Sequence, residues 1–166
     1  MKTLIAFFSR ADENYVSGAL KMLEVGNTEI VADMIQKETG ADVFRIDPMV
    51  KYAVDYNACI AEAKEDQRRD ARPELSKYLD SIAEYDTIYL GYPNYWGTMP
   101  MAVFTFLEKY DFSGKTIKPF CTHEGSGMGR SESDIRKLCS SAKVEKGLAI
   151  HGTSASRAAD AVKKWI

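Results

Sequence analysis

The 166-residue sequence predicts an α/β fold in which a doubly wound, five-stranded parallel sheet forms a single domain over residues 1–166. Two observations carry that prediction. Short apolar runs alternate with stretches of helical periodicity along the whole chain, and the 45% hydrophobic and 11% aromatic content is enough to cover a sheet on both faces. No repeat, linker or low-complexity tract interrupts the alternation.

The first strand is TLIAFF, Thr3 to Phe8, an unbroken apolar run of the kind a parallel strand shows when both its faces are covered. DVFRI, TIYLGY, IKPFCT and GLAI follow as weaker strands. Between the first two, NTEIVADMIQKETG places Ile30, Val31, Met34 and Ile35 on one helical face. Asn27 or Thr28 would cap its start, and Gly40 supplies a residue that adopts a left-handed C-cap cheaply. Further helices are expected over Tyr56 to Arg69, Pro100 to Tyr110 with proline in the first turn, Ser131 to Ser140, and Ser154 to Trp165. The charge run KEDQRRDARPE from Lys64 reads as the solvated end of a helix.

Charge and cysteine usage narrow the function. The formal net charge is -2, so nothing in the total points to nucleic acid or an anionic membrane, and a small-molecule site is favoured by elimination. Cys59, Cys121 and Cys139 make neither a zinc spacing nor a dithiol motif and fit reduced thiols in a cytoplasmic protein. MKTLIAFFSR has an apolar run too short for a signal peptide or a membrane span.

In an open parallel sheet, ligands bind beyond the carboxyl ends of the strands, and three unusual loops lie there. After the first strand, FFSR and a later GNT offer the Ser9 hydroxyl, the Arg10 fork of donors, and a glycine at a helix N-terminus, a combination suited to an anion. The alternative is that Asn27 and Thr28 only cap the helix. No GxxxxGK[ST] is present, so nucleoside triphosphatase chemistry is unsupported. After the third strand, GYPNYWGTMP puts Tyr92, Tyr95 and Trp96 on a turn, where leaving each ring in water costs about 1.5–3 kcal/mol relative to burial. Such rings either await a flat ligand or pack into the protein's own core. After the fourth strand, THEGSGMGRS is glycine-rich, with free main-chain groups that can grip the edge of a heterocycle or simply form a flexible connection. Its glycine spacing fails the GxGxxG pattern.

With FLEKYDFSGKTIKPFCTHEGSGMGRS and the closing GLAI, these segments resemble the flavodoxin-like family, in particular short bacterial flavodoxins with an SR…GNT phosphate loop. The resemblance runs from Lys2 to about Gly152. It implies strand order 2-1-3-4-5 with FMN at the switch between the first and third strands. It also implies that Ser9, Arg10, Asn27 and Thr28 form the phosphate loop, that Pro93, Asn94, Tyr95, Trp96 and Gly97 lie against the isoalloxazine, and that Thr122, His123, Glu124, Gly125 and Ser126 form the second flavin loop. The chain departs from the family pattern in its 15-residue interruption Ala11 to Val25, whose Tyr15, Val16, Leu20, Met22 and Leu23 make a small lid or pack on the surface. Its near-neutral charge is a second departure from the acidic electron carriers.

The function implied is FMN-based electron transfer with redox partner proteins and with neither nucleic acid nor membrane as partner. The alternative is an FMN-dependent NAD(P)H:quinone-type reductase, which needs a second pocket beside the flavin. A receiver or interaction module would need an acidic cluster at the strand ends, which FFSR does not supply. His123 is expected beside the flavin, and His151 is expected to cap an element or lie at the surface.

Overall fold

A computed structural model describes residues 2–166. Strand β1 (Lys2–Phe7) lies at the centre of the sheet, with β4 (Asp42–Arg45) on one side and β5 (Tyr85–Pro93) on the other. Beyond β5 comes β6 (Thr116–His123). Its outer edge pairs with two short strands laid end to end, β7 (Lys143–Val144) and β8 (Leu148–His151). All these pairings are parallel, and taking β7 and β8 as one interrupted fifth strand gives the order 2-1-3-4-5. The interruption falls opposite Lys118 and Pro119, and proline has no N–H to give a neighbouring strand.

Alternate strand residues supply two separate cores, as the twofold side-chain period of a strand requires. Leu4, Ala6 and Phe8 with Ile88, Leu90 and Tyr92 face α3 (Met101–Lys109) and α4 (Ser131–Leu138). Ile5, Phe7, Tyr89 and Phe120 face α1 (Asn27–Thr39) and α5 (Ala159–Trp165). Helix α2 (Tyr56–Arg68) buries only Cys59 and Ala63 and packs on α3 and on a hairpin that the sequence reading had not resolved into strands. That hairpin, β2 (Asp12–Val16) and β3 (Ala19–Leu23), is the 11–25 interruption, and it forms a separate two-stranded sheet.

Two local expectations are corrected. The N-cap of α1 is Gly26, without a side-chain cap of its own, and neither Asn27 nor Thr28 serves; Ser9 Oγ reaches across from the end of β1 and accepts from the Glu29 amide at 3.1 Å. The last helix begins as a 3₁₀ turn over Gly152–Arg157, and α5 follows as a separate element. Gly40 does close α1 in the left-handed conformation, at φ 67°.

Candidate functional site

The carboxyl ends of β1, β5 and β6 open into a cavity of about 290 Å³. Twelve of the fourteen residues singled out from sequence line it: Arg10, Asn27 and Thr28 from the first loop, Pro93 to Gly97 from the second, and Thr122, His123, Glu124 and Ser126 from the third. Ser9 lies behind this wall as the cap of α1, and Gly125 turns away at φ 130° with its amide on His123 Nδ1 at 2.9 Å.

The first turn of α1 leaves amides facing this region. Ile30 bonds back to Gly26 and Glu29 to Ser9, whereas the amides of Asn27 and Thr28 find no acceptor among the described residues. Gly26 lets β1 approach closely, since a Cβ there would stand 2.6 Å from the Arg10 carbonyl oxygen. The Thr28 hydroxyl shares a 2.7 Å hydrogen bond with that of Thr122, which ties the first loop to the third in the buried floor.

The aromatic turn is less exposed than its sequence suggests. Tyr92 is fully buried and donates from its hydroxyl to Ser131 Oγ at 2.8 Å, so it belongs to the core. Tyr95 is partly buried, packed edge-on against Phe8 at 5.7 Å and Tyr52 at 6.2 Å, and loss of water around its hydroxyl holds its pKa well above the ordinary tyrosine value. Only Trp96 is open, at 44% exposure. Its indole N–H donates to the Ile60 carbonyl at 2.8 Å, and Lys64 Nζ stands 4.5 Å from its ring centroid. Asn94 fixes the turn, donating to Gly127 O and accepting from the Gly97 amide.

In the third loop, His123 and His151 are register partners on β6 and β8 with ring centroids 5.5 Å apart. Burial, then the neighbouring His151, lowers the His123 pKa below its usual 6.5, which favours a neutral ring at pH 7. His151 caps the 3₁₀ turn, its Nδ1 accepting from the Thr153 amide, and its Nε2 lies 3.8 Å from Glu124.

Arg10 lines the same cavity, with its side chain turned to backbone carbonyls of other segments. Its guanidinium donates to the carbonyls of Glu13, Ala53 (2.8 Å) and Val54 (2.7 Å). A further wall of the cavity is formed by Tyr15 of the hairpin, one of the residues expected in a lid or on the surface, and by Asn14 and the α2 residues Tyr56, Cys59, Ile60 and Ala63, which the sequence does not mark as site residues. The spacing of the α2 residues marks one helical face, but nothing in sequence says that this face looks into a cavity.

A sequence model of the Flavodoxin family matches residues 19–166. Among solved structures, a protein of Bacteroides uniformis ATCC 8492 assigned as a flavoprotein is 29% identical, with 99% of this chain and 96% of that one covered and a TM-score of 0.77. A second, from Bacteroides eggerthii DSM 20697 and assigned likewise, is 24% identical, covering 98% of each chain at a TM-score of 0.74. A flavoprotein of Lactobacillus acidophilus NCFM in complex with FMN is 20% identical, covering 99% and 97% at a TM-score of 0.66. No curated protein sequence matches the chain.

Proposed function

Because the chain belongs to the Flavodoxin family, we propose that it binds FMN in this cavity and serves as an electron-transfer protein between redox partner proteins. The observation that carries this reading is the convergence of the α1 N-terminus, the 93–97 turn and the 122–126 loop on one cavity. The donor set fits the cofactor: the Asn27 and Thr28 amides at the positive end of a helix dipole suit a phosphate. The Glu124 and Ser126 amides, also without acceptors among the described residues, suit the polar edge of a flat ring. The FMN complex from Lactobacillus has the same fold.

FMN, when bound, supplies one- and two-electron chemistry. The protein's part is to hold the phosphate at α1, to orient the ring between the two loops, and to keep a neutral His123 at the cavity edge at pH 7. Titration tests the assignment: FMN is expected to bind one to one, and riboflavin much more weakly because the α1 amides would go unused. Equal affinity for the two, or none for either, would refute it.

A second reading, an FMN-dependent reductase using NAD(P)H on a quinone-type acceptor, gains support from the wall that the hairpin and α2 add beyond the loops. Steady-state turnover separates the two. The carrier reading expects slow NAD(P)H oxidation by the protein alone and fast exchange once a reductase is supplied. Among the described residues, no helix is long and apolar enough to cross a membrane.

A further inference from the structure

We infer that Arg10 is a positioning residue that clamps the β2–β3 hairpin and the entry to α2 into one wall of the cavity, and that it is not the ligand of the anion. The inference rests on the FMN reading only for its ligand readout. Three of the five guanidinium donors go to backbone carbonyls of two segments far apart in sequence, Glu13 in the hairpin and Ala53 and Val54 ahead of α2. Nε is buried without a partner, a cost that a free arginine at a cavity mouth would relieve by turning outward.

The joint is then extended by other groups. The Glu13 amide donates to Val54 O at 3.3 Å, and its carboxylate accepts from the Tyr56 amide at 2.8 Å. The Ala53 amide donates to Glu62 at 2.7 Å, and Asp55 caps α2 through the Ala58 amide. Helix α2, so anchored, offers the Ile60 carbonyl that holds the Trp96 indole. A polar path therefore runs from Arg10 through the 53–55 segment and α2 to the aromatic turn. Anion binding is left to the α1 amides.

The test uses the full chain with Arg10→Lys, which keeps the charge but loses the planar fork whose two terminal nitrogens reach Glu13 on one side and Ala53 and Val54 on the other, and Arg10→Gln as a second variant. Amide exchange is expected to rise over residues 12–23 and 53–60 in both, with the sheet unchanged, which a general loss of stability would not give. R10K is expected to lose about tenfold in affinity for FMN and for riboflavin alike, so that the ratio between the two stays at its wild-type value. The inference fails if R10K binds FMN as wild type does while R10Q loses FMN selectively, for then the charge touches the phosphate. Unchanged exchange in both variants also overturns it. A wild-type chain that takes neither flavin would overturn the FMN reading instead, and exchange alone would then decide the clamp.

Discussion

Gly26 shows how one residue connects fold and site. Its backbone is extended, at φ -68°, a conformation open to any residue, so glycine is required there for space. A methyl group would press on the Arg10 carbonyl and the Ser9 hydroxyl, separating β1 from α1 and disturbing the cap on Glu29. Gly26→Ala is expected to lower stability by about 1–3 kcal/mol, the range for overpacking, and to weaken FMN binding because the Asn27 and Thr28 amides move with the turn. Gly40→Ala is the control: its site has open space but φ 67°, so it should lose about 1 kcal/mol of stability while binding FMN normally. Thermal melts with flavin titration of both variants check this, and normal FMN binding by Gly26→Ala would separate the tight turn from the anion site. Ser9 as the cap of α1 is hidden from sequence reasoning because it stands 20 residues from the amide that donates to it.

At the scale of elements, Trp96 joins the aromatic turn to α2. It sits at φ 52°, strained for a bulky side chain, and is held by Ile60, by Lys64, and by Gln67, which donates to its carbonyl at 3.3 Å. An electron-rich ring beside a flavin binds the neutral oxidised form better than the electron-rich reduced form. Trp96→Ala should therefore weaken oxidised FMN binding by about 1–3 kcal/mol, by analogy with stacking of bases on aromatic side chains. It should also raise the midpoint potential, by roughly 30 mV for each tenfold of lost preference in a two-electron couple. Titration and potentiometry read both, and no change in either would leave Trp96 as a tie to α2 alone. The parallel strands and their helices were legible because burial on both faces writes itself as apolar runs. The hairpin was not, since β3 is almost wholly exposed and lacks such a run. Its signal was the Ser17–Gly18 pair, both at positive φ, a two-residue turn joining strands in register. Helix α2 was legible as a helix, but the destination of its inner face depends on the hairpin and on Arg10.

Across the whole molecule, two cores grip the sheet while the hairpin and α2 belong to neither cluster. The three buried thiols report on this division: Cys121 lies in β6, Cys139 at the end of α4, and Cys59 on α2 facing the cavity. Burial raises all three thiol pKa values, Cys121 to about 12 and Cys139 to about 11. The unfolded chain therefore ionises its thiols near the ordinary value of 9.0 while the folded chain keeps them protonated. Their contribution to stability is thus fully present below about pH 9 and falls as pH rises beyond it, because the unfolded state binds fewer protons there. Around pH 8 the native thiols are both shielded and un-ionised, so alkylation proceeds only through opening. Cys59 should be labelled first, since it is released when the hairpin and α2 lift, whereas Cys121 and Cys139 require the sheet to open. Saturating FMN should slow Cys59 and leave the order of the other two unchanged. Mass spectrometry of quenched time points gives the three rates, and equal rates would mean that the cavity wall opens only when the whole domain does.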